Sequence, residues 1–148
     1  MKIALGSDHR GYLLKERLKK MLKKMGHETV DVGTGGTDAA DYPDFGIPVA
    51  EKTAGGETDR GIVVCGSGIG MSIAANKVRG ARAALCRTVE EARMTRQHND
   101  SNVLALSEKS LDDPQLEELV RTWLETPFDG GRHRIRIDKI SEYEKESR

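Results

Sequence analysis

Short apolar runs alternate along this chain with stretches whose apolar residues recur every three or four positions. The first run, Ile3-Ala4-Leu5, stops at Gly6 and reads as a strand. Across residues 12–25, Leu14, Leu18, Met21, Leu22 and Met25 recur between lysines, which predicts an amphipathic helix ended by Gly26. Residues 29–32 read as a second strand, followed by a Gly-, Thr- and Asp-rich loop over 33–41 that leads into Tyr42-Pro43. A helix over about residues 44–54 runs through Gly55-Gly56 into Gly61-Ile62-Val63-Val64-Cys65. That continuous apolar run is the kind buried on both faces, so it is expected to be the central strand.

The alternation continues to the end of the chain. A sharp turn at residues 66–70 opens a helix to about residue 77, and a strand is expected over 81–86. A helix over 89–97 precedes a fifth strand over 102–106. Asp112-Asp113-Pro114 has the chemistry of a helix start, and that helix is expected to end at Thr126-Pro127. The last segment opens with Asp129-Gly130-Gly131 and becomes charged and helical. Strand and helix in strict succession predict an α/β protein with an open parallel sheet and helices on both faces. No internal repeat or low-complexity linker interrupts it.

Length and charge narrow the reading. The 148 residues suit one domain over 1–148. The 24 basic and 24 acidic side chains cancel, leaving no field that would attract nucleic acid, although a local cluster can still hold one phosphate. No apolar run approaches the roughly 20 residues that cross a bilayer, so no membrane partner is expected. With two cysteines, Cys65 and Cys86, and no leader-like start, a cytoplasmic location is expected.

The turn Cys65-Gly66-Ser67-Gly68-Ile69-Gly70 lies at the carboxyl end of the central strand, where open parallel sheets bind ligands. Its glycines let the backbone approach a ligand and aim N–H groups at an anion. Met71 stands where a dinucleotide fingerprint needs a third glycine, no Gly-Lys-Ser or Gly-Lys-Thr makes a phosphate loop, and Met71 also occupies the place of a phosphatase arginine. A helix N-terminus beside Cys65 should favour its thiolate, suited to moving protons or to nucleophilic attack. Cys86 reads as a small buried hydrophobe.

Three further polar groups stand out: Asp8-His9 after the first strand, Asp41-Tyr42 in the second loop, and His98-Asn99-Asp100 before the last strand. The first pair should share an edge with Cys65. His98 enters from the opposite end of its strand, so it is expected to reach the same ligand from a neighbouring subunit. In Gly131-Arg132-His133-Arg134-Ile135-Arg136, Arg132 and Arg136 share a helical face and offer two guanidinium forks to one phosphate. No tight His/Cys/Asp/Glu ligand cluster is apparent, so no metal is expected.

Together, Ser7-Asp8-His9, Asp41-Tyr42-Pro43, the block from Cys65 to Lys77, Arg96 to Asp100 and Gly130 to His133 resemble the type B ribose-5-phosphate isomerases. The resemblance covers nearly the whole chain. It is less specific for the sugar, because allose-6-phosphate and galactose-6-phosphate isomerases are similar, and a non-catalytic sugar-phosphate binder would share the pocket. It implies a Rossmann-like three-layer α/β/α sandwich with a five-stranded parallel sheet and a C-terminal helix. It also implies a homodimer with intersubunit active sites, and some relatives pair dimers into tetramers. Cys65 matches the base that moves a proton between C2 and C1 through a cis-enediolate, without metal or cofactor. His98 matches the ring-opening residue, with Asp8 and Tyr42 around the ring. Gly66, Ser67, Gly68, Ile69 and Gly70 match the enediolate-binding turn, Ser67 and Asn99 the contacts to sugar oxygens, and His9, Arg132 and Arg136 the phosphate ligands. Ser67 stands where threonine is frequent, and Lys109 where an arginine often reaches the phosphate from the neighbouring subunit, so Lys109 is a candidate for that contact.

Overall fold

The computed structural model describes residues 1–147. Five strands, β1 (Lys2–Ser7), β2 (Glu28–Gly33), β3 (Arg60–Cys65), β4 (Ala83–Leu85) and β5 (Val103–Ser107), form one parallel sheet in the order β2-β1-β3-β5-β4. The run read as central is β3, the middle strand. Helices α1 (Tyr12–Lys24), α2 (Pro43–Ala54), α3 (Ile69–Asn76), α4 (Val89–Asn99) and α5 (Leu116–Glu125) connect or follow the strands, and α6 (Arg132–Glu146) closes the chain. Among the described residues no helix is long and apolar enough to cross a membrane.

Alternation along the strands separates two apolar layers. Ile3, Leu5, Ile62, Val64, Leu104 and Leu106 face one side, where they pack with Leu14 and Leu18 of α1 and with Trp123 of α5. Ala4, Val63, Cys65, Val103 and Ala105 face the other, against Val49 of α2 and Met71 and Ala75 of α3. Large residues fill the first layer and small ones the second, so α2 and α3 lie close to the sheet. This is the three-layer sandwich that the resemblance implies.

Several boundaries differ from the periodicity reading, each for a local reason. β4 has three residues rather than six, and side-chain amides take the backbone groups at its start. Asn76 bonds Ala83 N and O at 2.8 and 2.9 Å, and Asn102 Oδ1 accepts from Arg82 N at 2.7 Å. A 3₁₀ turn, Glu108–Asp112, follows β5 where no element was expected. α5 begins at Leu116, later than the Asp-Asp-Pro signal, since Asp113 Oδ1 accepts from Gln115 N at 2.8 Å and closes a turn first. α4 continues two residues further than expected, to Asn99, which puts His98 and Asn99 in its last turn.

The chain steps from β1 outward to β2, then returns to β3 on the other side of β1. That reversal opens a crevice at the carboxyl ends of β1 and β3. Asp8 and Cys65 stand there.

Candidate active site

A cleft of about 780 Å³ opens at this crevice, lined by Asp8, Tyr42, Cys65, Gly66, Ser67, Gly70 and Lys109 among others. That volume is within the range of small-molecule sites, about 300–1,000 Å³. Asp8 is 6% exposed, and its Oδ1 accepts from the amides of Arg10 and Gly11 at 3.0 Å each, which fixes the turn into α1. Cys65 is 5% exposed and ends β3 with its side chain in the small-residue layer.

The glycine turn is shaped by two close approaches. Gly68 has φ +78°, and a Cβ there would fall 2.5 Å from Leu85 Cδ1 and 3.0 Å from the Leu106 carbonyl carbon. A Cβ on Gly70 would fall 2.8–3.0 Å from the Tyr42 ring, so the missing side chain lets Tyr42 close on the start of α3. The Ser67 hydroxyl accepts from Ile69 N at 3.1 Å, and Ser107 Oγ donates to Gly66 O at 2.7 Å. Ile69 therefore spends its amide inside the turn and does not line the cleft, which corrects its expected place among the donors. The amides of Ser67, Gly68 and Gly70 donate to no described residue. Those of Ser67 and Gly70 line the cleft beside the Cys65 thiol at a helix N-terminus, an arrangement that suits an oxyanion. Gly68→Ala should cost more than about 2 kcal/mol, from a left-handed backbone and a clash with backbone atoms. Chemical denaturation reads that loss, and unchanged stability would show that the turn tolerates a side chain.

A second cleft, of about 570 Å³, lies elsewhere and contains Asn76, Arg82, His98, Asn99, His133 and Arg136. Asp100, with φ +45°, ends α4; Arg96 Nη1 donates to its Oδ1 at 2.9 Å, and Arg82 Nη2 to its backbone oxygen at 2.9 Å. This clamp holds His98 and Asn99 at the edge where β5 begins. Asp129 N donates to Gln97 O at 3.1 Å and ties the turn before α6 to α4. His98 and His133 stack with centroids 4.4 Å apart and planes 13° from parallel. Burial, with the charges of His98, Arg132 and Arg136, holds the His133 pKa below its ordinary value.

His98, Asp129 and His133 bring candidate ligand atoms within 4.8 Å of one another, a cluster the sequence reading did not see because Asp129 sits in a turn about 30 residues along the chain from His98. Near-parallel rings aim their nitrogens side by side, and two guanidinium groups on α6 repel a cation. The set suits an anion better than a metal ion.

The remaining expected residues divide. Lys109 lines the Cys65 cleft of its own chain, because β5 ends beside β3, and so corrects the expectation that it acts from the neighbouring subunit. Gly68, His9 and Arg132 do not line either cleft. Ala40 N donates to His9 Nδ1 at 3.2 Å, which on that tautomer places the proton on Nε2. Sequence reasoning missed Arg10, Arg87, Ser107 and Glu108 in the first cleft and His133 in the second. All but His133 end or follow a strand at its carboxyl end on one edge of the sheet, and that position is the signal that could have found them.

The chain matches the sequence profile of the Ribose/Galactose Isomerase family over residues 3–140. It is 43% identical to ribose-5-phosphate isomerase B of Escherichia coli, over 97% of this chain and 96% of that protein. A Clostridium thermocellum ribose-5-phosphate isomerase B structure superposes with a TM-score of 0.96 at 53% identity, covering 100% of both chains. A Mycoplasma genitalium ribose-5-phosphate isomerase B with bound ribulose-5-phosphate superposes with a TM-score of 0.93 at 43% identity, covering 99% of this chain and 97% of that one. With its profile match running from β1 into α6 and its fold shared at this identity, the chain belongs to the Ribose/Galactose Isomerase family.

Proposed function

We propose that this chain interconverts ribose 5-phosphate and ribulose 5-phosphate, with Cys65 as the base. The observation that carries this reading is a thiol set at the end of the central strand, beside amides that donate to no described residue, in a cleft of small-molecule size. The relative that holds ribulose-5-phosphate supports the substrate. In the open-chain aldose, the Cys65 thiolate takes the proton from C2. Charge moves onto the oxygen at C1, and the amides of Ser67 and Gly70 stabilise the enediolate as it forms. The O2 hydroxyl proton passes to O1 across the cis-enediolate and the same thiol returns the carbon-bound proton to C1, while Asp8 and Tyr42 hold sugar hydroxyls.

Ring opening is assigned to His98, sugar-oxygen contacts to Asn99 and Ser67, and phosphate binding to Arg132 and Arg136, with His9 and Lys109 on the Cys65 side. Cys65 ends β3, whereas His98 stands where β5 begins, on the opposite edge of the sheet. A second copy of the chain is therefore needed to complete each site, and a two-fold dimer supplies two identical sites. Ile69 and Ile73 on α3, 49% and 54% exposed, are apolar surface beside the Cys65 turn that such a copy would cover. Both cysteines are free thiols, which suits the reducing cytoplasm.

The test is incubation with ribose 5-phosphate in deuterium oxide containing EDTA. Turnover to ribulose 5-phosphate with deuterium at C1, and at C2 of the recovered ribose 5-phosphate, undiminished by the chelator, is the expected result. Loss of activity restored by a divalent ion would assign the His98–Asp129–His133 cluster to a metal after all. Turnover only on allose or galactose 6-phosphate would shift the substrate to six carbons, and absence of any exchange would make the protein a binder.

A further inference from the structure

Arg10 is not explained by the chemistry above. It follows Asp8-His9 in the loop after β1, and its side chain crosses to Glu108 at the start of the 3₁₀ turn after β5. Arg10 Nε donates to Glu108 Oε2 at 3.3 Å and Nη2 donates to Oε1. Since β3 lies between β1 and β5, this link spans the carboxyl end of the strand that carries Cys65. A Cβ built on Gly66 would fall 3.2–3.4 Å from Arg10 Nε, Cδ and Cζ, so the guanidinium group rests on the residue next to Cys65.

We propose that the Arg10–Glu108 bridge governs the ionisation of Cys65, Arg10 favouring the thiolate and Glu108 opposing it, so that both act as positioning residues for the base. The inference deepens the isomerase reading and rests on it for its catalytic consequence. A point charge fixed over the turn acts on the thiol whichever sugar is bound. The bridge itself adds little to stability, because Arg10 is 60% and Glu108 29% exposed at the side chain and water screens such pairs. Its removal should leave the fold standing. Other groups face Cys65 across the same cleft: Asp8 from the same loop, Tyr42 from the start of α2, Arg87 after β4, and Lys109 and Asp113 after β5. These stay constant between the variants below.

The experiment is the pH dependence of Cys65 alkylation by iodoacetamide, a neutral reagent, followed by mass spectrometry in Arg10→Met, Arg10→Lys and Glu108→Gln. Cys86 does not compete, being 1% exposed with its thiol pushed up to about 12 by burial and by Glu91. At neutral pH, Arg10→Met should react about threefold more slowly, with its profile moved to higher pH, as expected for loss of one partly screened charge. Glu108→Gln should move the opposite way by a similar factor, and Arg10→Lys should stay with the parent protein. The acid limb of kcat/KM should follow the same order. Both bridge-breaking variants lose the same contact, so a merely structural role would move them in one direction. Shifts of the same sign, or none, would overturn the proposal. Opposite shifts in alkylation together with full turnover by Cys65→Ala would uphold the coupling while removing Cys65 as the base.

Discussion

Cys65→Ala is expected to lower isomerase turnover by about a thousandfold or more, within the range of about 10²–10⁴ that a positioned general base contributes. The change removes one sulfur atom from the layer in which Ala4 and Ala105 already occupy neighbouring strands, so the core can accept the smaller side chain. The thiol also makes no hydrogen bond that the turn depends on: Ser67, Ser107 and the backbone of α3 hold it. Substrate binding, read by calorimetry, should therefore survive, and exchange of the C2 proton with deuterium should vanish together with turnover. Near-normal turnover would move the base to a carboxylate. Asp8 would be a poor one, because one of its oxygens already accepts two amide hydrogens. Glu108, tied to Arg10, would be next in line.

Much of this arrangement was legible in the sequence, because burial in a parallel sheet writes itself as runs and periods. Ile62 to Cys65 had to be central, and a glycine turn after a central strand had to sit at the ligand edge. Asp8 was placed by the same logic, and Tyr42 by the resemblance. Periodicity reports the face a residue presents, but not which loops meet across that edge. The Arg10–Glu108 bridge joins positions 98 residues apart and leaves no period. His133 looked like one more charge in a basic run until α6 laid it on His98. Lys109 was expected from a neighbouring subunit through the resemblance, and the 3₁₀ turn that returns it to its own cleft has no hydrophobic signature that could have corrected this. Such contacts are fixed by strand order, which depends on the crossover from β2 back past β1 rather than on any local segment.

Mixing two inactive variants should restore activity. In Cys65→Ala the second cleft is intact, and in His98→Asn the first is, so a dimer of either variant alone would carry two defective sites. If each site joins Cys65 of one subunit to His98 of the other, a mixed dimer holds one site with both changes and one with neither. Co-expression at equal levels makes half of the dimers mixed, and about a quarter of parental turnover should return. Both variants would fail alone, so the gain is read against a near-zero background. A site complete within one chain predicts the opposite, because every subunit would then carry one of the two lesions and no combination could repair it. The sheet supplies the reason to expect recovery: Cys65 leaves the end of β3 and His98 stands at the beginning of β5, and neighbouring parallel strands cannot bring opposite ends to one sugar.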